Sequence, residues 1–166
     1  MKKKDVINLF IALSTLPATK GAKFSYAVAK NLSVLKDEVI SLESGLKILD
    51  ESKEYEKARL ELLKSYAEKD ENNNPVTKNN GKEFVIVDQE KFEKEFEDLK
   101  VEHASGYTVR QKQIDEYEEM LEEEATVDIF KVKLANVPDD VTPAQMYSIF
   151  AIIDDTEQET EISKNA

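Results

Sequence analysis

Residues 25–69 read SYAVAKNLSVLKDEVISLESGLKILDESKEYEKARLELLKSYAEK, and the spacing of their apolar side chains decides the fold. Val28, Leu32, Leu35, Val39, Leu42, Leu46 and Leu49 follow one another in alternating steps of four and three, the heptad seam of a coiled coil. Polar Lys53 and Glu56 take the next two seam positions, after which Leu60, Leu63 and Ala67 resume the same phase. That phase predicts one continuous helix over 25–69, about 65 Å long at 1.5 Å per residue. Lys53 and Glu56 either pair with a partner helix and set its register, or mark a stretch where the helix is more exposed.

The partner lies immediately downstream. Residues 70–82, DENNNPVTKNNGK, are dense in turn formers and predict a loop. Glu83–Val87 is a short strand candidate, with Val76-Thr77 as its mate across the Asn79-Asn80-Gly81 turn. Asp88 is a natural N-cap for a second long helix over 88–124, whose Phe92, Phe96, Leu99, His103, Tyr107, Ile114, Tyr117 and Leu121 fall near one face. A short loop between two long amphipathic helices makes them antiparallel neighbours. Ser105-Gly106 weakens the middle of the second one and allows a kink there.

Outside this hairpin, Val6, Leu9, Phe10, Leu13 and Leu16 predict an amphipathic helix over 3–16 that ends before Pro17. Thr126 to Leu134 alternates like a strand, and Thr142-Pro143 is a strong start for a helix over 142–154. The expected fold is therefore mainly α: a long antiparallel two-helix coiled-coil hairpin, minor β at its tip, and a small head made by the N-terminal helix, a short strand and the C-terminal helix. Residues 1–155 read as a single elongated domain, and the polar 156–166 as a disordered tail.

Charged residues make up 35% of the 166, with four Gly and four Pro, which suits long helices rather than a loop-rich or all-β design. No apolar run approaches the ~20 residues a membrane span needs. The Lys2-Lys3-Lys4 start imitates a signal peptide, but the apolar run after it is interrupted by Asn8 and Ser14 and Ala18 makes a poor cleavage site, so an amphipathic helix is the better reading. With no Cys, disulfides, thiolate catalysis and cysteine-ligated metal sites are excluded. One His, His103, has no Glu-x-x-His motif around it, and no phosphate-binding loop occurs. The sequence therefore points to no enzyme, no cofactor and no metal site.

A net charge of −12 disfavours direct nucleic-acid binding. The charge is uneven, with six lysines against one acid in residues 1–35 and fourteen acids against five bases in 88–124. This asymmetry either steers a basic partner to the second half or lets the two halves of the fold attract each other. Glu118, Glu119, Glu122, Glu123 and Glu124 include i, i+4 pairs that repel unless a cation or a basic chain neutralises them; they read as an ordinary acidic helix end or as a weak divalent-cation site. Acidity spread along a rod also suggests a nucleic-acid mimic that inhibits a host defence or DNA-handling enzyme.

Taken in order, Leu16-Pro17-Ala18-Thr19-Lys20-Gly21 leading into Phe24-Ser25-Tyr26-Ala27-Val28-Ala29-Lys30-Asn31-Leu32, then Leu63-Lys64-Ser65-Tyr66-Ala67-Glu68-Lys69-Asp70-Glu71, then Thr142-Pro143-Ala144-Gln145-Met146 before Ile152-Ile153-Asp154, resemble a family of small acidic helical proteins of unknown function encoded by tailed bacteriophages. The resemblance spans residues 5–155 and implies a phage origin with a host-cytoplasmic or virion setting. It implies Tyr26, Lys30 and Asn31 as an interaction patch at the head, although Lys30 and Asn31 equally suit a cap or brace at the hairpin base. The expected function is protein–protein interaction with a phage structural or a host protein, without a membrane, as monomer or homodimer.

Overall fold

A computed structural model of the chain describes residues 1–17, 21–79, 81 and 83–156. It is mainly helical with two small sheets, and divides into two compact units: one from Met1 to Gly45 together with the residues from Tyr117 onward, the other Leu46–Glu116. The sequence expectation was a single elongated domain over 1–155.

The first unit begins with α1 (Lys3–Ser14), whose Val6, Leu9 and Leu13 are buried. Ser14 and Thr15 hydroxyls donate back to the Phe10 and Ile11 carbonyls and close its last turn. The second helix, α2 (Ala22–Ser44), follows Gly21, whose φ of 108° is open to glycine and strained for other residues. Its buried face is Phe24, Ala27, Asn31, Leu35, Val39 and Leu42, so the helix is turned to bury Asn31 where the heptad count had placed Leu32.

The continuous helix expected over 25–69 does not form. It stops at Gly45, which the heptad count passes over, and resumes only at Lys53. Gly45 sits so close to the Tyr117 ring that an added Cβ would lie 3.3 Å from Cδ2, which explains a glycine there. The chain then turns through Leu46–Leu49 and a short 3-10 turn at Asp50–Ser52.

The second unit holds α3 (Lys53–Tyr66) and α4 (Gln89–Glu102), with α5 (Ala104–Leu121) crossing the boundary between the units. The expected 88–124 helix is thus two helices broken at His103, whose backbone leaves the helical region at ψ 35°. Asp88 caps α4 as anticipated, accepting from the Lys91 N–H at 3.1 Å. Helix α3 runs antiparallel to the α4–α5 segment: Tyr66 meets Phe92 at a ring-centroid distance of 5.8 Å and Tyr55 meets Tyr107 at 5.6 Å.

Between α3 and α4 the expected tip hairpin is present as β1 (Thr77–Lys78) paired antiparallel with β2 (Glu83–Phe84). The pairing extends to the helix ends, since Glu68 N–H donates to Val85 O and Val76 N–H to Glu68 O, both at 2.7 Å. Asp70 shapes the entry turn by accepting from the backbone N–H groups of Asn72 and Asn74. These bonds hold its carboxyl below the usual range, the Asn74 amide first among them.

The last part of the chain returns to the first unit. Only Val132–Lys133 of the expected 126–134 strand is β3, and it pairs in parallel with β4 (Ile153–Asp154). The expected 142–154 helix is shorter: α6 (Pro143–Ser148) starts on the Thr142 cap, then passes through a 3-10 turn into β4. Ile149, Ile152 and Ile153 are all buried across this change of backbone conformation. They join Val6, Leu9, Leu13, Phe24, Leu35 and Val132 in one core, which gathers α1, α2, β3 and the residues that follow α6. Thr156 is the last described residue, and the rest of the expected disordered tail lies outside the described residues.

Candidate functional site

Three features of the surface carry chemistry. The first gathers the acidic end of α5. Lys2 and Lys4 donate to the two carboxylate oxygens of Glu122, each at 2.6 Å, and Lys3 Nζ donates to Glu123 at 2.7 Å. Backbone bonds from Lys3 N–H to Glu123 O and from Ala125 N–H to Met1 O lay the N-terminal residues alongside this turn. Of the expected Glu118, Glu119, Glu122 and Glu123, the last two are thus neutralised by the chain's own lysines, while Glu118 and Glu119 are exposed one turn earlier. Among the described residues no group of acids or histidines is placed to hold a metal ion.

The hydrogen bonds from Lys2 and Lys4 pull the Glu122 carboxyl down to about 2. A carboxyl depressed in the folded state stabilises this attachment above its ordinary pKa near 4.5 and loses that contribution as pH falls from there towards 2. Amide exchange at Lys3, corrected for its intrinsic pH dependence, is therefore expected to be protected at pH 5 and to speed up by roughly two- to fivefold at pH 2.5, the scale of exposed pairs. Glu122→Gln should give the faster rate at both pH values, and high salt should mimic it.

The second feature holds the patch implied for Tyr26, Lys30 and Asn31. Helix α2 presents Tyr26, 60% exposed, and its ring meets Phe130 edge-on at 5.5 Å and 84°. Phe130 is itself 41% exposed, and the two rings stand over a cleft of about 370 Å³ rimmed by Lys23, Lys131 and Lys133. Lys131 reaches the Ala151 carbonyl at 2.6 Å, and Asp154, held chiefly by Thr156, feels the charges of Lys131 and Lys133. Among the described residues no acidic side chain lines the cleft.

Lys30 is exposed on α2, but Asn31 is fully buried and cannot belong to a surface patch. Its Nδ2 donates to Ala27 O at 2.9 Å and to Phe130 O at 2.8 Å, while its Oδ1 accepts from Phe130 N–H at 2.8 Å. Asn31 therefore braces the strand-like segment that positions Phe130, the second of the two roles the sequence left open.

The third feature was not found by sequence reasoning. In the second unit, Tyr55, Glu56, Arg59, Phe96, Lys100, Tyr107 and Arg110 surround a pocket of about 300 Å³. Glu56, one of the two polar seam residues, turns inward with its side chain only 13% exposed, 3.2 Å from Arg59 Nη1 and 3.1 Å from Arg110 Nε. It pairs with the α5 segment instead of marking an exposed stretch, whereas Lys53 pairs with Asp50 on the surface. His103 ends α4 between Lys100 and Tyr107 in sequence but does not line the pocket. The one signal available was a seam position occupied by an acid with basic residues at 59 and 110.

No helix among the described residues is long and apolar enough to cross a membrane. Comparison of the chain with protein-family models, with curated proteins and with solved structures finds no match.

Proposed function

We propose that the chain is a non-enzymatic protein of tailed-phage origin that works by protein–protein interaction, in the host cytoplasm or the virion, and that the Tyr26–Phe130 cleft is its docking surface. The observation that supports this is an exposed aromatic pair set in a basic rim on a chain whose net charge is −12. Aromatic side chains anchor interfaces with large contact area and little entropy to lose. Lys23, Lys131 and Lys133 select an acidic segment carrying an apolar or aromatic anchor. The overall negative charge does not forbid such a partner, because charges beyond about 8 Å are screened at physiological ionic strength. Such a partner fits both a minor virion or assembly component and an effector bound to a host factor.

The acidic-mimic reading has less support, because a mimic needs its carboxylates free and Glu122 and Glu123 already hold Lys2, Lys3 and Lys4. The test is mass spectrometry of a tagged chain recovered from infected cells and from purified particles. A partner recovered by the native chain should be lost from Tyr26→Ala/Phe130→Ala, with affinity down by about thirtyfold or more, the effect of removing hot-spot aromatics. Undiminished recovery of that partner by the double variant sinks the assignment. Sedimentation of the two proteins separates a docking cleft for a different chain from one that pairs two copies of this one.

A further inference from the structure

We propose that the pocket of the second unit is a binding site for a small aromatic oxyanion, a carboxylate or phosphate carried on a planar ring. Its charge balance is incomplete. Arg59, Arg110 and Lys100 face Glu56 inside and Glu97 at the rim, three cations against two anions. Glu97 is an exposed carboxylate that holds Lys100, at 2.7 Å. One carboxylate, Glu56, is thus left to serve two guanidinium groups.

The shortfall is sharpest at Arg110, whose side chain is 16% exposed. Its Nη1 donates to Leu46 O at 3.0 Å and to Gln113 Oε1 at 2.7 Å, both neutral acceptors. Its buried Nε lies 3.1 Å from Glu56 Oε1, yet the N–H is not aligned to make that hydrogen bond. A buried guanidinium that pairs by charge without completing its hydrogen bonds favours one more oxyanion.

The walls define the rest of the ligand. Tyr55 and Tyr107 meet edge to face, and Lys100 Nζ is held 4.6 Å over the Phe96 ring and 5.5 Å from that of Tyr107. These rings give a planar body faces and edges to pack on, beside a cation fixed in place. An apolar cavity of about 150 Å³ accepts a benzene ring, so about 300 Å³ accommodates a ring with its oxyanion. The site requires nothing of the Tyr26 cleft and stands or falls apart from it.

The experiment titrates the full chain with phenyl phosphate and with benzoate at low salt, followed by amide NMR shifts and calorimetry, with phenol as the uncharged control. Saturable binding with a Kd of about 0.1–1 mM is expected for at least one oxyanion, with shifts centred on residues 55–59, 96–100 and 107–114. Whichever probe binds more tightly identifies the head group. Arg59→Gln and, separately, Lys100→Gln should each weaken binding by about tenfold, and both side chains lie near enough to the surface for the variants to fold, as a thermal melt verifies. Phenol binding as tightly as the oxyanions, absence of saturation in this pocket at ~10 mM probe, or undiminished binding by both folded variants overturns the proposal.

Discussion

Replacing Asn31 with alanine is expected to cost the first unit about 3 kcal/mol. The amide of Asn31 is the partner of both backbone groups of Phe130, and its own exposure is nil. Removing it strands a donor and an acceptor together, each at about 1–3 kcal/mol when water cannot replace the lost bond. Phe130 is partly exposed, which places the pair toward the lower end of that range. Alanine gains about 0.5 kcal/mol in helix propensity, too little to offset the loss. Asn31→Asp should do no better, because it keeps the acceptor for Phe130 N–H but turns a second acceptor toward Phe130 O. Thermal denaturation should show a fall of about 6–12 °C for the alanine variant, whereas Lys30→Ala, one position along and exposed, stays within about 0.5 kcal/mol of the native chain. Equal stability of the Asn31→Ala and Lys30→Ala variants would show that the brace is not what holds this segment. Since the same bonds position Phe130, the alanine variant should also weaken whatever docks on the Tyr26 cleft.

What was legible in the sequence followed from local chemistry. Pro17 beyond α1, the Asp88 and Thr142 caps, the Asn-rich turn and the antiparallel order of α3 and α4 all depend on residues close together in the chain. The two breaks were not read correctly because periodicity measures which face is apolar, not whether the backbone continues. Gly45 carried the helix-stop signal in plain view, and the heptad phase on either side of it concealed the stop. Asn31 shows a related limit: the sequence left a brace open beside a surface patch, but could not say what the residue would brace. Its partner, Phe130, stands 99 residues away. The candidate cleft was half legible for the same reason, with Tyr26 named and Phe130 not. The charge asymmetry did foreshadow the lysine–glutamate contacts, since opposite excesses at residues 1–35 and 88–124 offered self-attraction as one of two outcomes, and Lys2, Lys3 and Lys4 meet Glu122 and Glu123.

Gly106→Leu is expected to destabilise the second unit by about 3 kcal/mol, although it removes a glycine from the interior of a helix. From the sequence, Gly106 is a weak point where α5 could bend; on that account leucine should stabilise by a little under 1 kcal/mol through propensity alone. The structure places the break three residues earlier, at His103, and gives Gly106 a different task. A Cβ built there would lie 3.0 Å from Tyr55 Cβ and 3.1 Å from Glu51 O, with Ser52 Cα at 3.5 Å. The glycine lets α5 approach the start of α3, where Ser52 is fully buried and Tyr55 nearly so. Alanine asks Tyr55 and the 51–52 backbone to retreat by a few tenths of an ångström, a cost that its propensity gain largely offsets, so Gly106→Ala should fall within about 1 kcal/mol of the native chain. Leucine cannot be accommodated that way, because its Cβ already crowds Tyr55 Cβ and the Glu51 carbonyl and three further carbons must find room there. The two accounts therefore differ in sign for leucine. Native-state hydrogen exchange across 46–116 distinguishes them: loss of protection at Tyr55 and its neighbours is the expected result, and increased protection would return Gly106 to the role of a simple helix weakness.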